Sequence, residues 1–303
     1  MLDRHARNIT YLRLSVTDRC SLRCRYCMPA GGMPERNHDE ICSVEELVEI
    51  AQAAVDCGVR KIRLTGGEPL VRREILEICR RLAAISGVEE LCLTTNGLAL
   101  PQMAKHLRGA GVGRLNVSLD TLRPDRYAYI TRGGRLEDVF QGLKAAAEAG
   151  FTGTKLNVVL MKDFNDDEIP DFLELSRCCS IEVRFIELMP IGEGSHARFL
   201  PAETVLEIAP GLLPVEGSGV ARRYRFPGGR ETVGLIAPMS RRVTADGRLK
   251  PCLHSDQEIP LRGLHGEALR RTIREGVSAK PERHHMDETG RSEAGRNMHQ
   301  IGG

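Results

Sequence analysis

Six times between Ile9 and Leu188 a short run rich in β-branched residues gives way to an amphipathic helical stretch. No other feature of the chain restricts its fold as much, because strands that alternate with helices pair in parallel and cover one sheet with those helices. The runs at 11–16, 61–64, 91–93, 114–119, 155–160 and 181–186 predict six strands. Helical periodicity fills the gaps. It is clearest from Ser43, where Glu46 makes a capping box and Val44, Leu47, Val48, Ala51, Ala54 and Val55 share one face. Gly58 is placed to close that helix, and further helical pattern runs at 72–85, 102–110, 137–149 and 167–177. The predicted fold class is α/β: an incomplete (βα)6 TIM-like barrel over residues 1–190. Past Pro190 the alternation fails and Gly, Pro and Arg become dense, so 191–303 reads as a smaller C-terminal region that closes the barrel. Its last stretch, 282–303, is polar and by composition a frayed tail.

Charge excludes one class of partner. With 43 basic and 41 acidic residues and a net charge of +2, the chain has no overall electrostatic footprint for nucleic acid. No apolar run nears the roughly 20 residues that span a bilayer, and the first residues lack a signal-type apolar core. The sequence therefore predicts a cytoplasmic protein without a membrane partner. There its ten cysteines stay reduced, and a tight group of them reads first as a metal site.

The conspicuous residues fall where strands end. The loop Cys20-Ser21-Leu22-Arg23-Cys24-Arg25-Tyr26-Cys27 follows the first strand, Thr65-Gly66-Gly67-Glu68-Pro69 the second, Thr94-Thr95-Asn96-Gly97 the third and Ser118-Leu119-Asp120 the fourth. Glu187 and Met189 follow the sixth. C-terminal strand ends are where ligands bind in parallel barrels and open α/β sheets. Three cysteines spaced x3 and x2 can reach one metal centre, and with no fourth nearby they leave one iron of a cubane cluster open. Zinc is the alternative, though its sites usually pair cysteines in two knuckles. Gly66-Gly67 offers backbone without Cβ atoms, to which a ligand can come close, and Glu68 a carboxylate that could accept from an ammonium; an ordinary βα turn would look the same.

The cysteine loop followed by Gly-Gly-Glu-Pro resembles the radical S-adenosylmethionine superfamily. The segments 12–20, 61–70, 94–98, 116–120, 155–159 and 184–187, with the Gly302-Gly303 terminus, resemble more narrowly its GTP 3′,8-cyclase family. That resemblance implies a 4Fe-4S cluster on Cys20, Cys24 and Cys27 whose open iron is chelated by S-adenosylmethionine. It places Tyr26, Gly67, Ser118 and Met189 on S-adenosylmethionine, with Glu68 and Asn96 beside them. Arg13, Arg63, Thr94 and Lys155 fall on GTP, joined by Arg241, Arg242, Gly302 and Gly303, and a cluster of cations suits that ligand. The implied activity is the first step of molybdenum cofactor biosynthesis, a lyase reaction. A 5′-deoxyadenosyl radical takes the ribose C3′ hydrogen of GTP, and C3′ then joins guanine C8 to give (8S)-3′,8-cyclo-7,8-dihydroguanosine 5′-triphosphate. A low-potential electron donor such as flavodoxin is implied too, and the family is commonly a homodimer.

One family feature is broken. The resemblance implies a second 4Fe-4S cluster, facing the guanine, on a C-terminal Cys-x2-Cys and, after a gap of thirteen residues, a third cysteine. Here Cys252 matches that third ligand, while Leu235 and Pro238 stand at the counted positions of the pair. No cysteine lies between Cys179 and Cys252, as though a short segment were missing before Arg241 and Arg242, which keep part of an arginine motif. Cys42, Cys57, Cys79, Cys92, Cys178 and Cys179 read as small hydrophobes. A cluster- and S-adenosylmethionine-binding paralogue or deletion variant, impaired in cyclisation, is thus the second reading. Other radical enzymes, such as peptide-maturing ones, share the front motif but not the later segments.

Overall fold

The structure is a computed structural model that describes residue 4, residues 8–32, 36–216, 221–236, 242–252, 256–279, residue 292 and residues 295–301. All six expected strands form: β1 (Tyr11–Ser15), β2 (Lys61–Thr65), β3 (Glu90–Thr95), β4 (Arg114–Ser118), β5 (Thr154–Leu160) and β6 (Ile181–Glu187). Helices α1 (Val44–Asp56), α2 (Ile75–Ala83), α3 (Leu100–Gly109), α4 (Pro124–Thr131), α5 (Leu136–Glu148) and α6 (Ile169–Cys178) lie between them. The Ser43 capping box is present in both halves, and Gly58 follows α1 at φ +104°, a conformation glycine adopts without strain. Helix α3 starts two residues before the expected point because Pro101 sits in its first turn, where no N–H is needed. Helix α4 was not expected. Pro124 opens it, but its eight residues are too few to show a periodicity.

After β6 come α7 (Thr204–Ile208), β7 (Leu213–Val215), β8 (Arg222–Arg225), β9 (Val233–Ile236), β10 (Arg242–Val243), β11 (Arg248–Lys250), β12 (Ile259–Pro260) and α8 (Gly266–Ser278). The strands form one curled, half-barrel sheet in the order β12-β11-β10-β1-β2-β3-β4-β5-β6-β9-β8-β7. Strands β1 to β6 are parallel neighbours in sequence order, β9 adds to β6 in parallel, and β10 adds to β1 in parallel. The C-terminal region therefore extends both edges of the half barrel.

The period of two along each strand decides what each face does. Leu12, Leu14, Ile62, Leu64, Leu91, Leu93, Leu115, Val117, Leu156, Val158, Val183 and Phe185 turn to the helices and make the core. The residues between them, among them Arg13, Arg63, Thr94, Arg114, Lys155 and Arg184, line the concave face. Against the expectation of a frayed tail, Met298–Ile301 forms a short 3-10 turn in which Met298, His299 and Ile301 are buried.

Candidate active site

The cysteine loop leaves β1 and turns tightly: the N–H groups of Cys27 and Met28 both donate to the Cys24 carbonyl, at 2.9 and 3.1 Å. Elements distant in sequence hold it. Arg132 donates from Nη1 to the carbonyls of Arg23 and Met28, at 2.7 and 2.8 Å. Tyr26 Oη donates to Asp120 Oδ2 at 2.8 Å, and Asp120 Oδ1 accepts from the Val159 N–H at 2.9 Å, tying the loop to the ends of β4 and β5. From the tail, His299 Nδ1 lies 3.2 Å from the Cys27 carbonyl, while Met298 and Ile301 pack with Ile191 against Cys27 and Met189.

Burial pushes the free thiols up, Cys20 to about 11 and Cys27 to about 12, and Cys24 is raised well above its ordinary value by burial and then by Cys27. Burial this deep disfavours free thiolates, so a positive centre is what would hold them. Among the described residues no three His, Cys, Asp or Glu side chains converge on a single metal ion. With three cysteines spaced x3 and x2 on one loop, each thiolate can take a separate iron of a cubane, whereas zinc sites usually pair cysteines in two knuckles. The Leu22 N–H donates to Cys20 Sγ at 3.4 Å, as a thiolate ligand accepts from its own loop.

At the end of β2 the glycines serve the backbone of the same loop. A Cβ on Gly67 would stand 2.3 Å from the Arg19 carbonyl oxygen, and one on Gly66 2.4 Å from that of Thr17. Glu68 is turned inward. Its Oε1 accepts from Thr95 Oγ1 at 2.8 Å and the Leu70 N–H at 3.0 Å, and its Oε2 from the Asn96 N–H at 2.7 Å. Burial raises it to about 7 against these three bonds. Asn96 Nδ2 donates to Ser21 Oγ at 3.0 Å. Ser118 ends β4 half-buried, and the carbonyls of Tyr26 and Met189 converge on Gly194, where a Cβ would lie 3.4 and 2.5 Å from them.

The concave face is cationic. Strand register aligns Arg242, Arg13, Arg63, Cys92 and Arg114 in one row, with Asn116, Lys155 and Glu182 in the next. Burial lowers Arg13 to about 10, and lowers Arg242 well below its ordinary value with Arg13 beside it. Lys155 Nζ meets Glu182 Oε2 at 2.7 Å and Arg184 Nε meets Glu182 Oε1 at 2.5 Å. Burial would raise Glu182, but Arg184 and Lys155 hold it at about 2; burial lowers Lys155 to about 8. Arg63 Nε, Thr94 Oγ1 and Asn116 Oδ1 are buried without hydrogen-bond partners. Buried polar atoms in that state mark a place built for a ligand.

The expected site residues divide accordingly. Cys20, Cys24, Cys27, Tyr26, Gly67, Glu68 and Asn96 meet at the cysteine loop; Arg13, Arg63, Thr94, Lys155 and Arg242 share the concave face. Arg241, Pro238, Gly302 and Gly303 lie outside the described residues. Sequence reasoning assigned no role to Arg114, Glu182, Arg184, Asp120 and His299. Strand register from Arg63 would have found Arg114. Cys252 is buried, and Leu235 lies in the core at the level of Phe185. Cys42, Cys79 and Cys92 are buried, Cys57 and Cys179 half-buried, and Cys178 exposed at the end of α6. A single buried thiol does not fit a second cluster.

A sequence profile of the radical SAM superfamily matches residues 14–176, and one described as Molybdenum Cofactor Synthesis C matches residues 181–286. GTP 3′,8-cyclase of Moorella thermoacetica is 47% identical over 325 aligned positions that cover 100% of both chains. The chain belongs to the GTP 3′,8-cyclase family. A member from Peptoclostridium acidaminophilum is 46% identical over 321 positions, covering 100% of this chain and 98% of its own. Both alignments exceed this chain's 303 residues, so these relatives carry residues that this family member lacks. Among solved structures, Streptococcus suis SuiB bound to S-adenosylmethionine shares the fold, with a TM-score of 0.62 and 16% identity over 88% of this chain and 67% of that one. The hydrogenase maturase HydG of Carboxydothermus hydrogenoformans gives 0.56 and 16% over 88% and 65%.

Proposed function

We propose that the chain converts GTP to (8S)-3′,8-cyclo-7,8-dihydroguanosine 5′-triphosphate, the first step of molybdenum cofactor biosynthesis, with one iron-sulfur cluster. The observation that carries this reading is the row of buried cations with partnerless polar atoms on the same half barrel as the three-cysteine loop. Cys20, Cys24 and Cys27 would hold the cluster. When bound, it supplies the electron that cleaves S-adenosylmethionine and so yields the 5′-deoxyadenosyl radical. The protein's part is to bind, orient and exclude water. Tyr26, Gly67, Ser118 and Met189 frame the S-adenosylmethionine side, with Glu68 and Asn96 fixing the loops around it. Arg13, Arg63, Lys155 and Arg242 take the triphosphate, and Thr94 supplies a hydroxyl. Met298, His299 and Ile301 close the site over Cys27. Residues 1–190 carry the radical chemistry, and 191–303 cover it. The setting is the cytoplasm, with reduction by an external low-potential donor; no described helix is long and apolar enough to cross a membrane.

The lone Cys252 favours a second reading, in which S-adenosylmethionine is cleaved but GTP is not cyclised. Anaerobic reconstitution followed by incubation with GTP, S-adenosylmethionine and dithionite separates the two. Both 5′-deoxyadenosine and the cyclised nucleotide support the first reading. 5′-Deoxyadenosine alone selects the second, and neither product refutes both.

A further inference from the structure

The outer side of the cysteine loop carries a charge pattern that the reaction on the concave face does not use. Arg19, Arg23 and Arg25 flank Cys20 and Cys24 and are exposed, whereas those cysteines are half-buried. Arg23 lays its guanidinium over Met28, with Nη1 3.7 Å from Sδ, and Arg25 lays its own over Tyr129. The segment after α4 adds to them. Arg23 and Arg25 donate their N–H groups to the carbonyls of Thr131 and Ile130, at 3.2 and 2.9 Å, which brings half-buried Arg132 and exposed Arg135 to the same rim. Gly134 lies flat on the loop, where a Cβ would come within 3.1 Å of Leu22 Cδ2.

Four arginines, Arg23, Arg25, Arg132 and Arg135, gather there in a chain whose overall charge is only +2, so the excess is local. The nearby acids do not cancel it. Asp18 is taken by Arg36 at 3.2 Å, Glu68 and Asp120 are buried behind the loop, and exposed Glu137 and half-buried Asp138, in the first turn of α5, offset only part of the arginine charge. The rim is also partly ordered in advance. Arg25 stacks 3.9 Å over the half-exposed Tyr129 ring and donates to the Tyr129 carbonyl at 2.9 Å. Arginines so held present planar forks to carboxylates at little entropic cost.

We infer that this arginine rim is the docking face for a small acidic electron-carrier protein, which reduces the cluster through the loop that holds it. The inference rests on the cysteine loop being the cluster site. The step is a transfer of one electron: the reduced carrier loses it, the cluster gains it, and no bond is made or broken. The rim lies within one residue of the cluster ligand Cys24, so a carrier seated on it has its redox group over the shortest path. Complementary charge of this kind acts mainly on encounter, raising association rates 10- to 1000-fold and making them depend on salt.

The test uses the reconstituted protein and a purified acidic flavodoxin. Two quantities are read: the Kd for oxidised flavodoxin against ionic strength, and the stopped-flow rate at which fully reduced flavodoxin bleaches the cluster absorbance. Arg135→Glu, outside the cysteine loop, should weaken binding and slow bleaching at least threefold at low salt, and flatten both salt dependences. Its iron content and its dithionite-driven cleavage of S-adenosylmethionine should stay at the parent level. Arg23→Glu added to it should deepen the loss to at least tenfold, read at matched iron content. Unchanged flavodoxin binding and bleaching in the charge-reversed protein overturn the inference. Because bleaching is read directly, a chain that cleaves S-adenosylmethionine but cyclises no GTP still tests the rim.

Discussion

Replacing Glu182 by Gln tests whether the cationic concave face is a polyphosphate site in which one internal carboxylate stands in for part of the anion. The carboxylate is buried and takes Lys155 at 2.7 Å, Arg184 at 2.5 Å, the Thr232 hydroxyl at 3.1 Å and, more loosely, Arg223 at 3.9 Å. A glutamine keeps most of the shape but removes the charge, which leaves buried cations uncompensated at a cost of about 3–5 kcal/mol. An unfolding entropy of ~2.1 cal/mol/K per residue gives ~0.6 kcal/mol/K for a chain of this length, so the melting temperature should fall by about 5–8 °C. GTP should reverse part of the loss, since its phosphates can replace the missing carboxylate. Thermal unfolding of the cluster-free chain, with and without GTP, reads both effects. The pH dependence has a definite sign. Glu182 is held at about 2, below its ordinary 4.5, so its contribution is complete above about pH 4.5 and fades as pH falls toward 2. The gap between parent and variant must shrink over that window. A variant that melts within 1 °C of the parent at pH 7, or that gains no more from GTP than the parent does, refutes the reasoning.

Iron counting tests the single cluster: about four irons per reconstituted chain, lost in Cys24→Ser and kept in Cys252→Ser, is the expected result, and about eight would contradict it. Because burial lowers Lys155 to about 8, GTP affinity measured by equilibrium dialysis should weaken as pH rises through 8, by up to about tenfold at pH 9. Lys155→Arg should remove that dependence, and a flat profile in the parent means that the lysine does not carry binding. Gly67→Ala, whose methyl would stand 2.3 Å from the Arg19 carbonyl, should force β2 and the cysteine loop apart and weaken S-adenosylmethionine binding at least tenfold. The control Gly31→Ala, which meets nothing within 4 Å, should leave binding unchanged; equal effects of the two would refute the contact argument.

Much of this was legible in the sequence, and the rest was hidden for identifiable reasons. The six parallel strands could be read because each is five to seven residues long and buries alternate positions on the helix side. Strands β9 and β10, which add to the two edges of the half barrel, have four and two residues. So short a stretch shows no period, and its pairing depends on contacts with strands far away in sequence. The cysteine loop and Gly66-Gly67 were visible as motifs, but the purpose of the glycines was not. They let the end of β2 run against the Thr17 and Arg19 carbonyls, a contact that exists only after folding. Composition misjudged the tail, because two apolar residues, Met298 and Ile301, anchor a polar segment.

The site's arrangement follows from what holds the cysteine loop. A loop of eight residues with three half-buried thiols cannot fix its own shape, since its internal hydrogen bonds make little more than one turn. Arg132 clamps its carbonyls from outside, Asp120 fixes Tyr26 from the sheet, and the tail covers Cys27 with Met298, His299 and Ile301. Each clamp comes from a different part of the chain, so a loop rigid enough to hold a cluster forms only when half barrel and C-terminal region fold together. The clamps also separate two surfaces. Outside, Arg132 belongs to the rim on which an electron carrier can sit; inside, Asp120 and the tail border the concave face where Arg13, Arg63 and Lys155 lie. The Arg242 guanidinium, paired in register with Arg13, donates to the Ile301 carbonyl at 3.2 Å. One arginine thus joins the cation row to the tail, and a polyphosphate that engages the row pulls on the same residue that keeps the cysteine loop covered.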